Sequence, residues 1–459
     1  MTSLPPQVLK GLAEIFARDQ ILREESERWA YGYDNSRLQQ LPDVVVFPTG
    51  HEQVRDTLQL CNEHGVPVTT RGRGTGTTGA AVPLAGGLVL AMERLCRIGE
   101  PDSANRFLRA ESGATNAAVQ EKAASRGFFW APDPTSAPFC TIGGNLACNA
   151  AGPRAIKYGT PRENVLGLRA VTGEGREIRT GVLTTKGVVG YDLTRLLIGS
   201  EGTLAVITEA TLRLTPLPQA VRTLLLSYAD IEAATRAITD IMCLGNLPRS
   251  LEFMDARAIA MIRDYADCPL PATARAVLIV EVDGDADQLE GMAARVMKTA
   301  SNERLLTCLD ARDAEQADAI WRMRKALSPA LRTVAPKKIN EDVVVPVSRI
   351  PRLISGLEAL AEKYALPIVN FGHAGNGNIH VNLLLDPDQP EEAEKAAACL
   401  DEIFDLVLSL DGTLSGEHGI GYVKREFVQR EIDAASLELM HRIKAQFDPN
   451  GILNPGKTI

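Results

Sequence analysis

The chain has 459 residues, too many for one hydrophobic core and enough for two or three domains, with 45% apolar and 5% aromatic side chains. Its 49 basic and 58 acidic residues leave a net charge of −9, which excludes a nucleic-acid binder built on a basic face. Nowhere do 18 apolar residues follow one another, and the first residues carry no basic stretch ahead of an apolar core. Neither a spanning helix nor a signal peptide is therefore expected, and a cytoplasmic location without direct membrane insertion is. Eight cysteines, at 61, 96, 140, 148, 243, 268, 308 and 399, include no Cys-x-x-Cys pair. That spacing excludes a zinc ribbon or an iron–sulfur cluster, and the cysteines read as reduced, buried fillers.

In chain order, Val8, Leu12, Ile15, Phe16, Ile21 and Leu22 recur among charges over residues 4–31, which predicts a helical lead-in. A strand over 44–47 follows, then a helix over 51–64 closed by Gly65. The run 65–70 is a second strand and 87–92 a third, so that Arg-Gly-Arg-Gly-Thr-Gly-Thr-Thr-Gly at 71–79 joins two strands. Four glycines there let main-chain N–H groups approach a ligand, and two arginines and three threonines add donors of the kind a phosphate takes. A flexible surface turn is the other reading of the loop alone. A Rossmann fingerprint would open a helix at the last glycine and a Walker loop would carry Gly-Lys-Ser/Thr; neither is present.

The loop and its flanks resemble the FAD-binding domain of the vanillyl-alcohol oxidase and p-cresol methylhydroxylase type. The segment 132–159 is dense in Gly, Pro and Asn, which reads as a coil held against a cofactor; a long surface loop is the other reading, though loops of this length are uncommon without a function. Its Pro-Asp-Pro, Thr141-Ile142-Gly143-Gly144-Asn145 and Lys157-Tyr158-Gly159 match the second flavin-contacting segment of that family, with Cys140 in place of the usual alanine. The stretch 192–204, holding Glu201 and Gly202, is a further match, and the first domain is expected to end near Pro216-Leu217-Pro218. The resemblance implies that FAD is held without a covalent bond by Arg71, Gly72, Arg73, Gly74, Thr75, Gly76, Thr77 and Gly79. It adds Pro132, Asp133, Thr141, Gly143, Gly144, Asn145, Tyr158 and Gly159, then Glu201, Gly202, Ile207 and Asn454, with Lys457 beside the last.

Beyond residue 218, β-like runs at 221–228, 276–282 and 342–346 alternate with amphipathic helices at 231–243, 287–300 and 349–364. The pattern predicts an α+β domain with helices on one face of its sheet. Here the chain is similar to the glycolate oxidase flavoprotein subunit, D-lactate dehydrogenase and D-2-hydroxyglutarate dehydrogenase, a resemblance running from about residue 40 to the end. The expected architecture is α+β: a lead-in at 1–40, a two-subdomain FAD-binding domain at 41–218, a substrate or cap domain with an antiparallel sheet at 219–410, and a closing segment at 411–459.

Three of the six histidines lie in two glycine-rich stretches, at 372–380 and 416–421. If Gly375 to Asn378 form a four-residue turn, His373 sits directly opposite His380 and two imidazoles can share a metal, with Glu417 as a third ligand; ordinary turn histidines are the alternative. The resemblance implies the metal reading, with Zn2+ favoured over Mn2+ or Fe2+, and it assigns His418 as general base. Asn376 stands where the family often has Asp. Trp321-Arg322-Met323-Arg324 matches the family's Trp-x-x-Arg, which makes Arg324 the candidate for the substrate carboxylate; a solvated helix face is the alternative, and Lys338 is the second candidate.

What these residues imply together is an FAD-dependent dehydrogenase of D-2-hydroxy acids or glycolate, forming the 2-oxo acid with metal assistance and hydride transfer to flavin N5. An oxygen-using oxidase and an inactive flavin-binding electron-transfer subunit are the alternatives. With no second redox centre encoded, the expected electron acceptor is an electron-transfer flavoprotein or an iron–sulfur subunit, and a homodimer is a candidate assembly.

Overall fold

Val44, Val45 and Val46 are wholly buried and form a strand at the centre of a four-stranded sheet, as β-branched residues in an unbroken apolar run should. The computed structural model describes residues 4–265 and 270–459. It divides the chain into two compact units, one of Met1–Gly152, Gly159–Leu217 and Glu417–Ile459, the other of Pro153–Tyr158 and Pro218–Gly416.

In the first unit, Val44–Val46 leads through the helix His51–Glu63 to Val68–Arg71, and Leu88–Ala91 inserts between the two strands, parallel to both. Because Val68–Arg71 and Leu88–Ala91 are parallel, residues 72–87 must return the length of the sheet rather than turn tightly. The lead-in is shorter than expected. Its helix is Pro6–Ile15, and Ile21–Leu22 pairs as an antiparallel edge strand with Val45 and Val46. Gln20 explains the change, since its Nε2 donates to the Phe47 carbonyl at 2.8 Å and ties the chain to the sheet edge.

A second, antiparallel sheet in the same unit runs Phe107–Glu111, Ala205–Pro216, Val165–Thr172, Glu177–Gly181, with Phe128–Trp130 also on the long strand Ala205–Pro216. Each sheet has its own core. One gathers Val8, Leu12, Val54, Leu58, Ile452 and Leu453, and the other Leu108, Trp130, Ile142, Leu146 and Leu212. From Glu417 on the closing segment belongs to the first unit, while 411–416 stay with the second, and Val68 and Leu453 form a parallel bridge in the first.

The second unit is a seven-stranded antiparallel sheet in the order Leu305–Asp310, Ala220–Tyr228, Ala276–Gly284, Ser250–Met254, Ile368–His373, Asn378–Leu385, Lys337–Val344. Its helices cover both faces, not one. Every residue of Ser250–Met254, Ile368–His373 and Asn378–Leu385 is buried, and successive side chains of a strand point to opposite faces. Helices Ala256–Tyr265 and Ala314–Val334 pack over Leu225, Val277, Ile279 and Phe371 on one side, while Ile231–Met242 packs with Ala286–Ala300 and Ile350–Tyr364.

The cysteines divide unevenly. Cys61, Cys140 and Cys399 are buried and Cys148 half-buried, but Cys96, Cys243 and Cys308 are exposed, so filling a core is not their common role; Cys268 lies outside the described residues.

Candidate functional site

In the first unit the gathering is done by main chain. A Cβ at Gly72 would fall 2.4 Å from Thr141 Oγ1, and one at Gly143 would fall 2.7 Å from Ser112 Cβ, so two glycine segments lie against neighbours with no room for a side chain. Thr141 caps the helix Ile142–Cys148, accepting from the Gly144 N–H at 3.2 Å. Asn145 is buried, donating to Cys140 Sγ at 3.2 Å and accepting from Asn116 at 3.1 Å, so the alanine-to-cysteine departure creates a contact with a candidate cofactor residue. Asp133 N–H bonds the Ala151 carbonyl at 2.8 Å, which folds 132–152 onto itself, and the Pro132 carbonyl accepts from Asn116 at 3.1 Å, which ties it to the helix Asn116–Ala124.

The C-terminal turn closes this cradle. Asn454 Nδ2 donates to the carbonyls of Ala80 at 3.0 Å and Glu201 at 2.8 Å, and Lys457 Nζ reaches Ala80 at 2.9 Å, Asn454 Oδ1 at 2.6 Å and the Val82 carbonyl. Burial draws the Lys457 ammonium down to about 7. Glu201 is buried and accepts from Ile420 N–H at 2.6 Å and Gly421 N–H at 2.7 Å, so its carboxylate anchors the turn that follows His418; burial pushes that carboxyl up. The His418 carbonyl accepts from Thr78 Oγ1 at 3.5 Å, which joins the same turn to the loop 71–79.

Several side chains expected at the flavin have other commitments. Arg71 donates to the carbonyls of Tyr33 at 2.7 Å and Ala30 at 3.2 Å, which makes it a tie to the N-terminal segment. Arg73 is half exposed and pairs with Glu93 at 3.2 Å. Ile207 lies in the second core of the unit. Tyr158 belongs to the other unit, where its hydroxyl donates to Asp283 at 2.7 Å. Gly74, Thr75, Gly76, Thr77, Gly79, Gly159 and Gly202 stay within the first unit, and the Gly76 carbonyl accepts from Asn35 N–H at 2.9 Å.

In the second unit the gathering is done by side chains on strands. The hairpin between Ile368–His373 and Asn378–Leu385 turns through Ala374–Gly377, so His373 faces Asn378 and His380 faces Phe371. The direct His373–His380 pairing expected from a turn at 375–378 is thus replaced by a diagonal one. A shift of two residues keeps both imidazoles on one face, and the rings meet edge to face with centroids 5.2 Å apart. Gly377 sets this turn: its φ is +75°, and a Cβ there would sit 1.8 Å from the Val345 carbonyl oxygen.

Behind the pair lies Glu252, a carboxylate in the apolar strand Ser250–Met254. Its Oε1 is 2.5 Å from His373 Nδ1 and its Oε2 accepts from Arg324 Nε at 2.8 Å. Burial alone would raise its pKa, but His373 and Arg324 outweigh that and hold it down at about 2. Arg324 also lies over the Phe371 ring at 4.7 Å, and Trp321 one turn earlier donates to Glu281 at 2.7 Å. In the sequence Glu252 is marked only as a lone acid inside Ser-Leu-Glu-Phe-Met, where a buried charge requires partners.

Next to the hairpin, Asp342 faces His380 across the strands and accepts from the Gly416 N–H at 2.9 Å and from Ser415 Oγ at 3.0 Å. This fixes the chain up to Glu417, the next residue. His373 and His380 meet on one face of this unit, and in the first unit the Glu417 carboxylate accepts from Gly152 N–H at 2.8 Å. Two imidazoles side by side are donors of the kind that, with a carboxylate, suit a divalent transition metal. Lys338 faces Leu384, four residues along the strand from Asp342 and so about 13 Å away.

Residues 217–458 match the family described as FAD linked oxidases, C-terminal domain, and residues 42–181 match the FAD binding domain. The chain is 38% identical to the glycolate oxidase subunit GlcD of Bacillus subtilis over 94% of its own length and 92% of that protein. It is 36% identical to a D-lactate dehydrogenase of Archaeoglobus fulgidus, over 91% of each chain. Among solved structures, p-cresol methylhydroxylase superposes with a TM-score of 0.82 at 18% identity, covering 98% of this chain and 96% of that one, which speaks for the fold alone.

Proposed function

Since the chain belongs to the family of FAD-linked oxidases, an oxidoreductase family, we propose that it oxidises a D-2-hydroxy acid, such as D-lactate or D-2-hydroxyglutarate, or glycolate, to the 2-oxo acid. The observation that carries this reading is the sheet face that bears His373, His380 and Glu252, with Arg324 reaching Glu252 from the helix Ala314–Val334: imidazoles for a metal beside a guanidinium for a carboxylate. Relatives named glycolate oxidase subunit and D-lactate dehydrogenase support the same substrate class.

FAD, bound without a covalent link in the glycine cradle around Gly72 and Gly143, supplies the two-electron acceptor when present. A divalent metal, with Zn2+ the leading candidate, supplies Lewis-acid polarisation of the substrate oxygens when held by His373, His380 and Glu417. Arg324, paired to Glu252 through Nε, has its terminal nitrogens to offer the substrate carboxylate. His418 takes the proton of the C2 hydroxyl, and Glu201 holds that turn in place through Ile420 and Gly421. Electrons then pass to a separate acceptor, an electron-transfer flavoprotein or an iron–sulfur subunit, a reading that the word subunit in the relative's name favours.

The test is anaerobic: purified flavoprotein is mixed with D- and L-lactate, D- and L-2-hydroxyglutarate, and glycolate, and flavin absorbance is followed. Bleaching by a D-acid or glycolate is expected. A flavin that none of these bleaches overturns the substrate class, and reoxidation in air as fast as turnover, with stoichiometric peroxide, overturns the separate acceptor. Acid precipitation should release the yellow colour into the supernatant.

A further inference from the structure

The strand Ser250–Met254 is buried throughout and carries one acid, Glu252, whose side chain is 1% exposed. A charge so placed is costly unless each oxygen is paired, and here each is, by a different element. Oε1 meets His373 Nδ1 from the neighbouring strand, and Oε2 meets Arg324 Nε from the helix Ala314–Val334. The register brings this about: Phe253 faces Gly372, so Glu252 and His373, one step on, share a face.

We propose that Glu252 is a positioning residue that sets both ends of the site with one carboxylate, fixing the tautomer of His373 and the aim of Arg324. The inference rests on the reading of His373 as a metal ligand and Arg324 as the carboxylate anchor. An ionised carboxylate at Nδ1 requires the proton to sit there, which leaves the Nε2 lone pair for the metal. The same carboxylate accepts from Nε of Arg324, which fixes the guanidinium over the Phe371 ring and leaves its two terminal nitrogens to other acceptors. Glutamine cannot reproduce this. If its oxygen serves His373, its amide hydrogens face the Arg324 Nε–H; if it turns round, it donates to His373 Nδ1 and moves the ring proton to Nε2.

The experiment compares wild type, Glu252→Gln and Arg324→Lys as FAD-loaded proteins. Zn2+ affinity is read by competition with a chromophoric chelator, and KM and kcat with the substrate found by flavin bleaching. Glu252→Gln is expected to weaken Zn2+ binding by about 10- to 100-fold, the usual effect of losing a partner behind a ligating histidine, and to raise KM. Arg324→Lys is expected to raise KM and leave Zn2+ affinity unchanged. In the metal-free wild type, nitrogen-15 imidazole NMR should find His373 protonated at Nδ1, a readout that does not depend on any variant folding. Wild-type Zn2+ affinity in a folded Glu252→Gln protein, or an Nε2-protonated His373 in the wild type, overturns the role of Glu252. A wild type that takes up no metal overturns the ligand reading instead, and the tautomer then decides Glu252 on its own.

Discussion

The two units bring their candidate binding residues together by opposite means. In the first, the Arg71 side chain that looked chemical in the sequence is tied to the N-terminal segment, while Gly72, Gly143 and the carbonyls of Ala80 and Glu201 draw the segments together. In the second, Glu252, His373, His380 and Arg324 project from buried strands and a helix, and the main chain there is occupied by sheet and helix bonds. A main-chain cradle is sensitive to added atoms and tolerant of lost side chains; a cluster of side chains on rigid strands behaves the other way round.

The largest expected effect falls in the second unit. Thorough chelation, or His380→Ala, should abolish turnover while bound FAD remains, as measured by elemental analysis, flavin absorbance and activity on one sample. Full activity in protein shown to be free of metal would break the contrast at its strongest point. Next, His418→Ala should lower kcat by about 100-fold or more, the usual worth of a positioned base, with metal and flavin retained. Arg324→Ala should act chiefly on KM, by about 10- to 100-fold, the range of a charge-assisted hydrogen bond; an unchanged KM would show that the carboxylate is held elsewhere.

For the first unit the informative variant adds atoms. Gly72→Val pushes side chain into Thr141, at a cost of about 1–3 kcal/mol from overpacking, and should reduce flavin per protein while Zn2+ uptake persists. Arg73→Ala, beside a half-exposed ion pair, should leave flavin content near that of the wild type.

A separate effect, on stability rather than on either site, depends on pH. Asp255 is buried and caps the helix Ala256–Tyr265, accepting from Ala258 N–H at 2.7 Å and Asn370 N–H at 2.8 Å, and burial raises its pKa to about 6. Its folded-state value lies above the unfolded one, so the native state binds the extra proton, and stability falls as pH rises from about 4 to about 6. Asp255→Asn should remove this fall, worth on the order of 2–3 kcal/mol, in urea titrations at the two pH values. An equal slope in both proteins would show that Asp255 is ionised throughout.

Local pattern was read well. The strand, helix and strand from Val44 to Arg71, the glycine loop and the hairpin carrying His373 and His380 all follow from alternation, caps and turn residues within a few positions. The one-face packing of helices was misread because a strand covered on both faces and one covered on a single face differ only in how continuous the apolar run is. The hairpin register slipped by two because four-residue turns at 374–377 and 375–378 are equally plausible in sequence; only the Val345 carbonyl beside Gly377 selects one.

By itself the sequence determined which chemistries were at hand: a glycine-rich anion loop, a histidine pair two strand faces could share, and no spacing for an iron–sulfur cluster. Tertiary structure decided which side chains were already taken. Arg71 reaches back to Tyr33, Tyr158 turns to Asp283, and Glu252 stands behind His373 and Arg324, 121 and 72 residues away. Periodicity reports the environment of a residue along its own element, but a buried charge is stabilised by groups brought to it from others, and those partners exist only once the sheet has formed.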